Sequence, residues 1–544
     1  MTSVVDHNRA TVSSLLDAPP SRRAVDPSTA SASRWKLGLQ SLAVNRTLWV
    51  VTIGAVALAA RLAALRSAYD IFIDEITYTN ISLSVAHGHG VDLYGHPFAL
   101  HPPAAFGLYA LVILVFGLHG NTESVLFALR HVDAVLGTAV CVMTFLLTER
   151  ITRRFVAVLV ALLMALDPLA VSFDSRVMLE APAQLAVVSL MFCLVAAIRL
   201  PAGSAARRNW LLGSGLAAAV TLTTKETFGL VVLGALFLLF ATGWVVTRRE
   251  AARVTFLALA GYAVNVVALG MSSGFGVWWN ANVDGALRLV GARQITGFNS
   301  PTVHVSLVSR ILADGSSFAV TYLILGVGSF CALGLLVRLS PWRRTPRRVR
   351  TPQQRATVLV ALWTLAAGAY LVYATVFGTI EEQMYYILLL PSAISTCLWI
   401  AGFVAVRPRP WKALATVAVG LALVVDMAVW VSVHTGRDDE YARMVSWEAT
   451  HVPPTSVVAA TDGSSQFLLS RGIIGQWSTV PQIKAHHVDY VIVSTLLVHQ
   501  GYGLARPPFA AAVERGGHLV FEADGVSEGS LRIYDVRGVT GGSR

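Results

Sequence analysis

Apolar stretches of about twenty residues recur along most of this chain, separated by short polar loops, and few folds tolerate that pattern. A bilayer core about 30 Å thick is crossed by roughly 20 apolar helical residues. Inside it every backbone N–H and C=O must be paired, which a helix does within one segment. Candidate spans lie near 48–65, 126–147, 155–172, 181–198, 210–223, 228–247, 254–271, 318–337, 356–378, 385–406 and 412–433. The expectation is a polytopic α-helical membrane protein with about 11 transmembrane helices. Only 13% of the 544 residues are charged, where a soluble domain carries about a quarter. A further apolar run, 106–118, is too short to span and reads as an interfacial segment.

The formal net charge of +11 belongs to topology rather than to nucleic acid. Arginines crowd particular short loops, at 150–154, 199–208, 248–253, 338–355 and 407–412, and in residues 1–46. Basic residues stay on the cytoplasmic side. The eleven spans therefore predict a cytoplasmic N-terminus, with 66–125, 173–180, 224–227, 272–317, 379–384 and everything after 433 outside. A span at 106–118 would move the five basic loops outside, so it is rejected. Residues 1–46 are polar and rich in Pro, Ser and Ala, and read as a disordered cytoplasmic tail. The organisation expected is this tail, a membrane domain over 47–433, and a small extracytoplasmic α/β domain over 434–544. That last segment alternates β-like runs ("SVVAA", "DYVIVS", "HLVFEA", "LRIYDV") with helix-like ones ("EYARMVSWEA", "PPFAAAVERGG"). The four cysteines all lie in apolar segments, without metal-ligand spacing.

The candidate chemistry collects on the outer side. "FIDEITYTN" places Asp74 and Glu75 side by side after the first apolar segment. They suit the start of a surface helix, where acidic residues meet the positive end of the dipole, and equally a general base or cation ligand. "ALHPPAAFG" fixes His101 by two prolines. "FDSRVMLEAP" holds Asp174, Arg176 and Glu180; "TTKETFG" holds Lys225 and Glu226; "GTIEEQMYYILLLP" holds Glu381, Glu382, Gln383, Tyr385 and Tyr386. Each set alone is compatible with solvated loop charge. Loops this short hold all of them at the bilayer surface, where an unpaired charge is costly. Carboxylates for proton abstraction, cations for an anion and apolar helices for a lipid tail together suit chemistry on a lipid phosphate.

In these motifs the chain resembles the GT-C glycosyltransferases that use polyprenyl-phosphate sugars, among them the protein O-mannosyltransferases and the lipid A aminoarabinose transferases. The resemblance runs from about residue 45 to 405. "DEITYTNIS" is similar to the family's Asp-Glu motif, "HPPAAFGLY" to the start of the second juxtamembrane helix of the first outer loop, and "SRVMLE" to the second acidic motif. "TTK" resembles the Thr-Lys pair that reaches the carrier phosphate, and "YYILLLP" the tyrosine-bearing helix start at the donor site. It implies a GT-C-like fold and an inverting transfer from a polyprenyl-phosphate-linked sugar to an acceptor hydroxyl on a glycan, lipid or protein outside the plasma membrane. Asp74 would be the base, with Glu75 and Glu180 shaping the site or holding a water or cation. Lys225, Arg176 and His101 would bind the phosphate, with Asp174, Tyr385, Tyr386 and Arg293 (or its neighbour Arg288) lining the donor site. His101 stands where the aminoarabinose transferases have lysine, and Glu381 and Glu382 where a basic residue often precedes the tyrosine. No nucleotide and no nucleic acid are expected; a divalent cation stays open. The competing classes are a lipid or small-molecule transporter, which would need polar groups at mid-membrane, and an inactive scaffold.

Overall fold

The computed structural model describes residues 45–290, 292–293, 308, 312, 315–339, 350–377, 382–501, 503–527 and 529–540. The tail expected over 1–46 lies almost wholly outside these residues, as does Glu381. Within them the chain is a polytopic helical membrane fold followed by a mixed-sheet domain. Its helices are α1 (Arg46–Leu62), α2 (Ile73–Ala86), α3 (Ala104–Phe116), α4 (Thr122–Ile151), α5 (Arg154–Leu166), α6 (Pro168–Asp174), α7 (Glu180–Ile198), α8 (Ala205–Thr224), α9 (Glu226–Thr242), α10 (Arg248–Leu269), α11 (Phe275–Leu289), α12 (Gly315–Leu339), α13 (Pro352–Phe377), α14 (Glu382–Ala405) and α15 (Arg409–Thr435). A two-residue hairpin pairs β1 (Asp92–Leu93) with β2 (His96–Pro97) between α2 and α3.

The expectation of about 11 spans is overturned. Among the described residues seven helices are long and apolar enough to cross a membrane, or eight if one bent pair counts as a single span. Three expected spans fall short for physical reasons. Both α1 and α9 have 17 residues. The 20 residues of α8 carry Arg207, Arg208 and Asn209 in their first turns and end in threonines. The stretch expected as one helix at 155–172 breaks between α5 and α6 with a 61° bend. Pro168 has no N–H to continue the ladder, and the Asp167 carboxylate accepts the freed Ala170 N–H at 3.0 Å. The helix α3, 13 residues long, is a short apolar element outside the count.

Several arginines inside the bundle fasten it. Arg61 on α1 donates to Asp174 at the end of α6 (2.6 and 2.9 Å) and to the carbonyls of Ala57, Met164 and Ala165. Two of those carbonyls belong to the last turn of α5, where the chain break would otherwise leave them without a donor. Close crossings use small residues: a Cβ on Gly328 of α12 would come within 2.6 Å of the Ser392 backbone on α14, which is how membrane helices pack without a hydrophobic driving force.

After α15 come α16 (Glu440–His451) and a five-stranded sheet of order β4-β3-β5-β7-β6, with β3 (Val457–Ala460), β4 (Ile473–Gly475), β5 (Tyr490–Ser494), β6 (His518–Asp524) and β7 (Ser530–Asp535). The first three run parallel; β5–β7 and β6–β7 are antiparallel. The helix α17 (Gly463–Leu468) follows β3 directly. The four β-like runs seen in the sequence form β3, β5, β6 and β7. The three residues of β4 are too few to show an alternating pattern. This domain is tied to the first loop: Asp438 N–H donates to the Ser67 carbonyl at 2.9 Å, and Tyr441 N–H to the Asp70 carboxylate at 3.2 Å.

Candidate functional site

Asp74 and Glu75 are adjacent in sequence and opposite in setting. Glu75 is fully buried and its carboxylate is saturated: it accepts two bonds from Arg130 (2.9 and 2.7 Å), one from Val177 N–H (2.8 Å) and one from Phe72 N–H (3.1 Å). Arg130 itself donates to the carbonyls of Leu65, Tyr69 and Asp70. This knot welds the first loop to α4 and starts α2, because an acceptor at the third helical position satisfies a first-turn donor. Asp74, on the next face of the same turn, is half-buried and lines a cavity of about 670 Å³.

That cavity has an apolar wall and a polar end. Leu222, Leu230, Leu233, Leu259 and Leu289 form part of the wall. The polar end brings together Asp74, His101, Lys225, Glu226, Arg288 and Gln383. Lys225 is an extended residue between α8 and α9, and the break lifts its side chain out of both helices. Its ammonium donates to Glu180 and, at 2.6 Å, to the side-chain Oε1 of Gln383 at the start of α14. His101 faces Glu226 through Nδ1 at 3.2 Å and lies edge-on to the Tyr78 ring at 5.8 Å.

The sequence-predicted residues thus divide. Asp74, His101 and Lys225 line the cavity, and Glu180 stands behind Lys225 as its counter-charge. Glu75 is absorbed by Arg130. Asp174 is buried between Arg61 and Tyr386, whose hydroxyl donates to it at 2.6 Å, and neither Asp174 nor Tyr386 lines the cavity. Arg176 donates to Ser172 at 3.0 Å and covers the Tyr69 ring. Tyr385 packs edge-on against Tyr322. Arg293 is exposed and paired with Asp284; its neighbour Arg288, one of the two arginines considered there, is the one at the cavity. Gln383 and Glu226 were visible in their motifs but not singled out. Arg130 and Arg61 were missed altogether, although an arginine inside an apolar segment signals a buried carboxylate partner. Among the described residues no three His, Cys, Asp or Glu side chains are placed to hold a metal ion. Glu75, Asp174, Glu180 and Glu226 sit in separate ion pairs instead.

The arrangement places two carboxylates, Asp74 and the His101-paired Glu226, in the lining of a largely apolar cavity together with lysine, arginine and histidine. Such a site can hold an anion attached to a lipid and receive a proton beside it. A model of the dolichyl-phosphate-mannose-protein mannosyltransferase family matches residues 97–270. No curated protein matches by sequence. Among solved structures, the chain is similar to ArnT from Cupriavidus metallidurans bound to undecaprenyl phosphate, with 14% identity, a TM-score of 0.54, and 90% of this chain and 98% of that one covered. It is also similar to the archaeal oligosaccharyltransferase AglB from Archaeoglobus fulgidus, in complex with an inhibitory peptide and a dolichol-phosphate. There the identity is 12%, the TM-score 0.55, and 90% of this chain and 74% of that one are covered.

Proposed function

We propose that this chain, which has the GT-C fold of those glycosyltransferases, is an inverting transferase. It would move a sugar from a polyprenyl-phosphate donor to an acceptor hydroxyl. The observation that carries the reading is that Asp74 and Lys225, from distant parts of the sequence, line one cavity with an apolar wall. The lipid lies along the leucines. The phosphate meets Lys225, Arg288 and His101, where positive charge stabilises the leaving group. The acceptor oxygen attacks the anomeric carbon as the bond to phosphate oxygen breaks; polyprenyl phosphate leaves with the electron pair and the hydroxyl proton passes to Asp74. Glu180 and Gln383 hold the Lys225 ammonium in place. A structure of the same fold bound to undecaprenyl phosphate supports the donor class.

The reaction takes place on the extracytoplasmic face of the plasma membrane, with the N-terminus cytoplasmic and the C-terminal domain outside. In support, the arginines gather at the helix ends away from the cavity: Arg199 ends the helix that Glu180 begins, Arg207 and Arg208 begin the one that Lys225 ends, and Arg407 and Arg409 follow the one that Gln383 begins.

The test is transfer from a labelled polyprenyl-phosphate sugar to membrane acceptors by protein in lipid nanodiscs. Asp74→Asn is expected to lower the transfer rate by about 10²–10⁴-fold while undecaprenyl phosphate still binds. Equal transfer by variant and wild type would return Asp74 to a helix-start role.

A further inference from the structure

The β1–β2 hairpin turns on an aromatic residue where a small one is easier. Leu93 pairs with His96, so Tyr94 and Gly95 alone make the turn, both at positive φ (55° and 85°). Two-residue turns of this kind favour Asn-Gly or Asp-Gly, because few other side chains tolerate the left-handed region. A tyrosine there is strain that its surroundings must hold, and such strain concentrates at functional positions.

Those surroundings lead to the cavity. Asn80 on α2 donates to the Tyr94 hydroxyl at 2.9 Å and accepts from Thr122 at 2.9 Å. The Tyr94 ring stacks on Phe467 of α17 with centroids 4.6 Å apart. At the other end of α17, Gly463 lies so close to α2 that a Cβ there would come within 3.0 Å of Ile73 Cδ1. Ile73 lines the cavity beside Asp74. Asn80 is six residues from Asp74, about 9 Å along the helix. The hairpin tip, the first turns of α2 and the loop that leaves the carboxyl end of β3 therefore meet at one rim. Carboxyl ends of parallel strands are where open α/β sheets take ligands. Although stacked, Tyr94 keeps 49% of its surface exposed, and Phe72 at the cavity keeps 44%.

We propose that Tyr94 and Phe467 form a carbohydrate subsite for the acceptor. One sugar unit packs on this aromatic surface, while the neighbouring unit presents its hydroxyl to Asp74. A sugar ring has an apolar C–H face edged by hydroxyls. The surface matches it with aromatic rings bordered by the Asn80 amide and the Thr122 hydroxyl. The proposal rests on the transfer reading above and names its acceptor as a glycan.

The experiment uses the full chain in nanodiscs and saturation-transfer NMR with a panel of octyl disaccharide glycosides and a Ser/Thr peptide. Binding of undecaprenyl phosphate is followed in parallel by native mass spectrometry. Tyr94→Asn suits the turn better than tyrosine and Phe467→Leu keeps the apolar contact, so both are expected to fold. Each is expected to weaken glycoside binding by about fivefold or more, with undecaprenyl phosphate binding unchanged. Melting of Tyr94→Asn should be no lower than wild type. Glycoside binding unaffected by both substitutions, or a wild type that binds the peptide and no glycoside, overturns the subsite. A wild type that binds no undecaprenyl phosphate overturns the transfer reading instead.

Discussion

Two neighbouring carboxylates show how far a residue's role depends on its partners. Asp74 faces the cavity, whereas Glu75 completes a buried ion pair whose every lone pair is engaged. Removing one member of such a pair leaves the other charge stranded and costs about 3–5 kcal/mol. Glu75→Gln is therefore expected to lower the melting temperature in detergent by several degrees. Asp74→Asn, which keeps the size and shape of the side chain at a half-buried position, is expected to leave it within about a degree while lowering transfer. A melting curve of Glu75→Gln that overlays wild type would mean that the Arg130 knot is not needed for the fold. The sequence showed the Asp-Glu pair but not this division. Which carboxylate faces inward is decided by Arg130, 55 residues away, and by a backbone N–H at Val177 that leaves no trace in residue type.

At the scale of elements, small residues set the distances between helices. Gly328 meets the Ser392 backbone, which cannot swing aside as a flexible side chain would, whereas Gly326 on the same helix has nothing near its Cβ position. Gly328→Ala is expected to force α12 from α14 and to cost about 1–3 kcal/mol, read as a fall in melting temperature. Gly326→Ala is expected to be neutral or slightly stabilising. Because α14 carries Gln383 at its start, the Gly328 variant should also weaken undecaprenyl phosphate binding. Element legibility follows the same logic. Long uniform runs such as those of α7 and α14 were plain in the sequence. The break at Asp167–Pro168 sat inside a run that hydropathy alone counts as continuous, and the polar ends of α8 were hidden by an apolar middle. Lys225 was legible because "TTK" falls between two apolar runs. Nothing local in the sequence separates Arg293 from Arg288; α11 places Arg288 at the cavity.

Across the whole molecule, the membrane domain and the sheet domain meet at a cluster of acids. Asp70 is almost fully buried and accepts from Ile71 and Tyr441 N–H groups, while Asp438 bonds Val526 and Ser527 N–H groups and the Ser527 hydroxyl. Glu440 and Asp438 both face Asp70. Burial, and next the nearby Asp438 charge working against the bonds that favour ionisation, pushes the Asp70 carboxyl up to about 7. The folded state therefore favours the protonated form of Asp70, shared in effect with the neighbouring Glu440 carboxyl, whereas the unfolded chain, with an ordinary aspartate, releases that proton near pH 4. Stability from this group is complete below about pH 4 and is lost as pH rises toward 7, beyond which the loss is constant. Asp70→Asn keeps a neutral side chain of the same shape at every pH. Melting temperature measured from pH 4.5 to 8 is thus expected to fall more in wild type than in Asp70→Asn, with the two curves separating mainly between pH 5 and 7. Parallel curves would mean that Asp70 is ionised throughout and that Tyr441 and the neighbouring amides suffice to hold it. Because this junction sets α17 against α2, the same titration is expected to loosen the acceptor rim before the bundle. Protease cleavage near 436–439 should rise with pH more steeply in wild type than in Asp70→Asn, where the neighbouring Glu440 carboxyl, also pushed up by burial, still titrates.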